Sequence, residues 1–159
     1  MVFKNEKELE RFILSKCRSA LTKTQERVYR IIDKFLNDFY NDYDPSSYTR
    51  TEQLLHSLVK SEIIQSGKGY EAKVYFDLDG LSYAGGNPSG EQVMEAASQG
   101  LHGAIGDIPN SKYNSKFQYI EGNTGVSVWD GAKGPVKILD AKVIEILKDM
   151  LIAEGILIK

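Results

Sequence analysis

Between Glu6 and Tyr40 the chain carries no glycine and no proline, and its apolar residues return every three or four positions. Leu9, Ile13, Cys17, Leu21, Thr24, Val28, Ile31, Phe35 and Phe39 form the stripe, and Phe12, Ala20, Ile32 and Leu36 widen one flank. That spacing is one face of an α-helix. Asn5 followed three residues later by Glu8 has the form of a capping box at its start. At 1.5 Å per residue such a helix is roughly 50 Å long. A domain of this size is only about 30–35 Å across. Part of the helix is therefore expected to overhang, leaving Leu9, Phe12 and Ile13 as candidates for contact with a partner.

The rest of the chain reads as a set of short elements. Asp44 can cap and Pro45 can open a second helix, with Tyr48, Leu55, Leu58 and Val59 on one face. Tyr70, Ala72, Val74, Phe76 and Leu78 alternate with Glu71, Lys73, Tyr75 and Asp77, the pattern of a half-buried strand. Residues 61–65 are its expected partner, closed by Gly67-Lys68-Gly69. Ser89 with Gln92 predicts a capped helix to Gln99. Residues 101–124 are polar, glycine-bearing and without period, and are expected to be a long mobile loop, with a short strand open to Phe117 and Tyr119. Val126, Val128 and Trp129 return to the core. A last helix is expected over 136–154, with Leu139, Val143, Ile146, Leu147, Met150 and Leu151 inward, then a final strand at 156–158. The expectation is one α+β domain over 1–159: a long helix at about 6–40 and a small antiparallel sheet with helices packed on one side.

Composition narrows the chemistry. The net charge is −2, so a duplex-binding regulator gripping phosphates through a basic excess is disfavoured. Cys17 is the only cysteine, which leaves no internal disulfide. The opening Met1-Val2-Phe3-Lys4-Asn5-Glu6 is too charged for a signal peptide, and no apolar run reaches 18 residues. Synthesis and retention in a cytoplasm are expected.

No catalytic constellation stands out. Cys17 lies on the apolar stripe, where a small buried hydrophobe explains it better than a nucleophile served by His56 or His102. Two histidines without a cysteine cluster are too few for a zinc site. The glycines around His102 lack the spacing of a phosphate loop, so neither metal nor cofactor is expected. His102 with Asp107 is the one acid–base pairing on offer, as a small hydrolase or nucleotide-binding enzyme. An anchoring role for His102 at a helix end is preferred. Tyr43, Tyr48 and Arg50 sit at the helix-to-helix corner, where Arg50 can lock Asp44 or reach a partner's carboxylate or phosphate. The nine tyrosines suit interfaces, since each joins apolar area to a polar tip.

The order of these features carries a resemblance. The long helix is followed by Tyr43-x-Pro45-x-x-Tyr48-x-Arg50-Thr51-x-x-Leu54-x-x-Ser57-Leu58, then a hairpin, then Ala97-x-x-Gly100-x-His102-Gly103 and a helix ending at Gly155. This resembles the small head–tail joining or tail-completion proteins of long-tailed bacteriophages and prophages, from about Lys7 to Lys159. The resemblance implies a non-enzymatic virion protein made in the host cytoplasm. It would assemble as a ring with copies of itself and with head, neck or tail proteins. DNA would pass through the lumen, and no membrane would be involved.

Overall fold

The computed structural model describes residues 2–41, 52–81, 89–98, 101–102, 122–123 and 135–156. Four helices and six short strands follow one another: α1 (Glu6–Asn41), α2 (Gln53–His56), β1 (Leu58–Lys60), β2 (Ile64–Ser66), β3 (Gly69–Glu71), β4 (Val74–Phe76), α3 (Gly90–Ser98), β5 (Leu101–His102), β6 (Gly122–Asn123) and α4 (Pro135–Ala153). The class is α+β, with a long amino-terminal helix and small antiparallel sheets. The chain divides into two compact units, and α1 contributes to both. One comprises Met1–Arg30, Lys60–Val74 and Leu139–Lys159, and the other Ile31–Val59 and Tyr75–Ile138.

α1 starts where its cap predicts. The Glu8 amide donates to Asn5 Oδ1 at 2.9 Å, and Glu8 Oε2 reaches back to the Lys4 amide at 2.8 Å. One of the amides that a helix start leaves unpaired, that of Glu8, is thereby satisfied, and the return bond goes to the residue before the cap. Its buried positions differ from the expected stripe. They are Ala20, Thr24, Val28, Ile32 and Leu36, at strict steps of four, while Leu21, Ile31 and Phe35 are only half-buried. Thr24 and Val28 belong to the expected stripe and Ala20, Ile32 and Leu36 to its flank, so the deepest seam crosses from one to the other, because the packed face does not run straight along the axis. Buried Thr24 donates its hydroxyl to the Ala20 carbonyl four residues back, so it costs no orphaned polar group.

The first unit contains a kinked hairpin. β2 pairs antiparallel with β3, with Ile64 opposite Glu71 and Ser66 opposite Gly69. Gly67 takes φ +58 at the first turn position, where glycine avoids the Cβ clash of the left-handed region. Below it the Ser61 amide donates to the Lys73 carbonyl at 2.9 Å. From that pair to Ile64–Glu71 one strand advances three residues and the other two. Glu62 and Ile63 together face Ala72, which is a β-bulge. The expected alternation otherwise holds: Lys73, Tyr75 and Asp77 are exposed, and Tyr70, Ala72, Val74, Phe76 and Leu78 are half-buried.

α4 opens on Pro135, the position at which a missing amide costs nothing. Ile146 is its buried anchor in the first unit, with Val143, Leu147, Met150 and Leu151 half-buried beside it. It ends in a Schellman motif: the Gly155 amide donates to the Ile152 carbonyl and the Ile156 amide to the Leu151 carbonyl, both at 2.9 Å, with Gly155 at φ +86.

The second unit buries Ile32, Leu36, Leu54, Leu58, Leu81 and Ala97. Its α3 realises the expected capping box. The Ser89 amide donates to Gln92 Oε1 at 2.8 Å and the Gln92 amide to Ser89 Oγ at 3.3 Å. β5 and β6 pair Leu101 with Asn123 and His102 with Gly122, which ties together the two ends of the segment expected to loop. Residues 103–121 and the expected strand at 157–158 lie outside the described residues.

Candidate interaction surface

The amino-terminal turns of α1 are where the apolar stripe runs out of cover. Leu9 is 38% and Ile13 42% exposed, whereas Ala20 on the flank of the stripe is fully buried. Phe12 behaves differently. Its ring lies 5.2 Å from that of Phe3, tilted by 49°, and Lys16 Nζ stands 5.8 Å from its centroid. It is half-buried in a local aromatic and cation–π contact rather than offered to a partner. Of the expected trio, Leu9 and Ile13 are the exposed members.

Sequence reasoning missed two further apolar residues on wet positions of α4. Ile144 is 59% and Ile152 53% exposed, eight residues apart on the helix. With Val2 and Ile64 they bring the exposed large apolar side chains of the first unit to six, against Tyr75 alone in the second, among the described residues. The signal was available: both isoleucines fall off the inward face expected for this helix.

Behind Ile13 on α1 an anionic anchor fixes the end of α4. Glu154 takes Lys23 Nζ at 2.5 Å, Ser19 Oγ at 2.6 Å and Lys16 Nζ at 3.1 Å, and its side chain is only 9% exposed. The donors sit three and four residues apart, so they share one face of α1. The Lys23 bond, then the Ser19 hydroxyl and the Lys16 bond, hold the carboxyl down at about 2 against an ordinary value of 4.5. Farther along, Lys60 and Arg30 bond Glu26 at 2.6 and 2.9 Å and lower its pKa, Lys60 contributing most. Lys60 Nζ also lies 4.6 Å from the Tyr29 ring centroid.

Gln25 joins this helix to the bulge. Its Nε2 donates to the Ser61 carbonyl at 3.0 Å and to the Lys73 carbonyl at 2.9 Å. Ser61 Oγ in turn accepts the Lys73 amide at 2.8 Å. The extra residue of the bulge is thereby held in one arrangement.

The other expected site residues are not brought into this surface. Tyr43, Tyr48 and Arg50, with Asp44, lie outside the described residues, as does Asp107. His102 is placed only by its backbone pairing with Gly122. His56 is exposed, with Nε2 3.8 Å from Glu52 Oε2. Cys17 is half-buried in α1. Among the described residues no three His, Cys, Asp or Glu side chains converge as metal ligands, and no helix is long and apolar enough to cross a membrane.

No curated protein and no solved structure matches this chain. One family model does, over residues 5–151, from the cap of α1 nearly to the end of α4. By that match the chain belongs to the YomN family, a phage- and prophage-associated family.

Proposed function

We propose that this protein is a non-enzymatic virion component, a neck or tail-completion adaptor that assembles in several copies at the head–tail junction. The observation that carries the reading is the uncovered apolar stretch at the start of α1, Leu9 and Ile13, in a chain of a phage-associated family. Burying one such side chain at a subunit contact contributes roughly 1.5–3 kcal/mol. Association costs about 4–15 kcal/mol in lost translational and rotational freedom. Two side chains therefore leave the isolated chain monomeric when dilute. A ring would close on a head or tail template, head-to-tail around its axis with DNA passing through the lumen. The partners in this reading are copies of the chain and other head, neck or tail proteins.

The test is Ile13→Asp in the parent phage or prophage. The variant should fold, since Ile13 is exposed, and should be missing from purified particles. Normal incorporation of Ile13→Asp, or parent particles without the protein at the neck or tail end, would sink the reading. The enzymatic alternative on His102 and Asp107 is separated by His102→Gln. An adaptor keeps particle yield in that variant, whereas loss of particles with normal folding would favour the enzyme.

A further inference from the structure

In the middle of α1 the bases outnumber the acids on the exposed positions. From Arg18 to Arg30 the exposed residues are Arg18, Thr22, Lys23, Arg27 and Arg30, four bases and no acid. Glu26, the one acid of this stretch, is half-buried and held between Arg30 and Lys60. At about 100° per residue, Lys23, Arg27 and Arg30 fall within about 60° of one another around the helix, as one ridge. Lys60 joins them through Glu26. Glu26 and Glu154 take up part of the charge, and the ridge still carries an excess of cations in a chain whose net charge is −2.

We infer that this ridge is a sequence-independent contact for the phosphate backbone of duplex nucleic acid. Its polar character decides against an acidic protein partner. Among the described residues, the exposed large apolar side chains of α1 are Leu9 and Ile13, both short of Arg18, so the ridge lacks the apolar centre that protein interfaces use. Arginine and lysine are among the side chains that position a protein on phosphates. The contact is one of charge with the phosphate backbone, so binding depends on salt and not on sequence. The inference stands apart from the adaptor reading, because it is tested on the purified chain without particles.

The experiment is fluorescence anisotropy with a labelled random-sequence DNA duplex over a salt series. Four phosphate contacts give a slope of log K against log salt of about −3.6, or about a hundredfold loss of affinity between about 50 and 200 mM salt. Arg27→Glu with Arg30→Glu should weaken binding at least about tenfold and flatten the slope by about two. The milder Arg27→Gln should flatten it by about one. Lys7→Glu with Arg11→Glu makes the same change in net charge elsewhere on α1 and should leave binding near wild type. Circular dichroism confirms that each variant is folded. No binding by wild type at about 50 mM salt, equal weakening by the Lys7/Arg11 control, or equal competition by a poly-glutamate chain of matched charge would each overturn the inference.

Discussion

The backbone of Gly90 lies against that of Leu78. A Cβ placed on Gly90 would meet the Leu78 carbonyl oxygen at 2.2 Å and its carbonyl carbon at 3.0 Å. The first turn of α3 can approach the end of the hairpin region only because that Cβ is absent, and Gly90 is itself buried. Gly90→Ala therefore forces a backbone shift. Overpacking of this kind costs about 1–3 kcal/mol, and the upper end is expected, since backbone cannot swing aside as a side chain can. Urea unfolding should show the midpoint falling with an unchanged m-value.

Glu154 sets the acid limb of stability. Its carboxyl is lowered from 4.5 to about 2. A depressed acid contributes stability that is fully present above its unfolded value and is lost as pH falls through its folded value. Wild type should thus lose stability relative to Glu154→Gln between about pH 4.5 and 2 and keep a constant margin above that window. A margin that stays flat down to pH 2 would refute the anchoring role.

Gln25→Ala removes one donor from two carbonyls at once. Lys73 keeps the Ser61 amide, but Ser61 loses its bond from Gln25. The expected cost is about 1–2 kcal/mol. Amide exchange should quicken at Ser61 and Lys73, and more there than at Gln65 and Tyr70 nearer the turn.

Glu52 takes φ 56 ahead of α2 and makes no side-chain cap bond. Asparagine tolerates that left-handed backbone and caps helices well. Glu52→Asn should raise stability by about 1 kcal/mol, since the exposed Glu52–His56 pair that it gives up is worth little. A fall in Tm would show that this pair, and not the backbone, governs the corner.

What the sequence made legible is local. The expected helix over 6–40 is Glu6–Asn41, and the one over 136–154 is Pro135–Ala153. Both rest on period and end signals within one turn. The Ser89–Gln92 box is equally local and appears as expected. The hairpin bulge was not legible, because Gln25 holds it from 36 and 48 residues away. Nor was the Glu154 anchor, whose donors lie 131 to 138 residues off in the chain. The candidate surface was half legible. Leu9 and Ile13 follow from helix length against domain size. Phe12 is half-buried, and one ring against it, that of Phe3, precedes the periodic segment.

The steps of four along α1 make its length as specific as its composition. Four residues turn a helix about 40° past a full revolution, so from Ala20 to Leu36 the buried seam swings through about 160°. One residue inserted between Thr24 and Val28 would turn the helix beyond it by about 100° about its own axis and break the step-of-four seam.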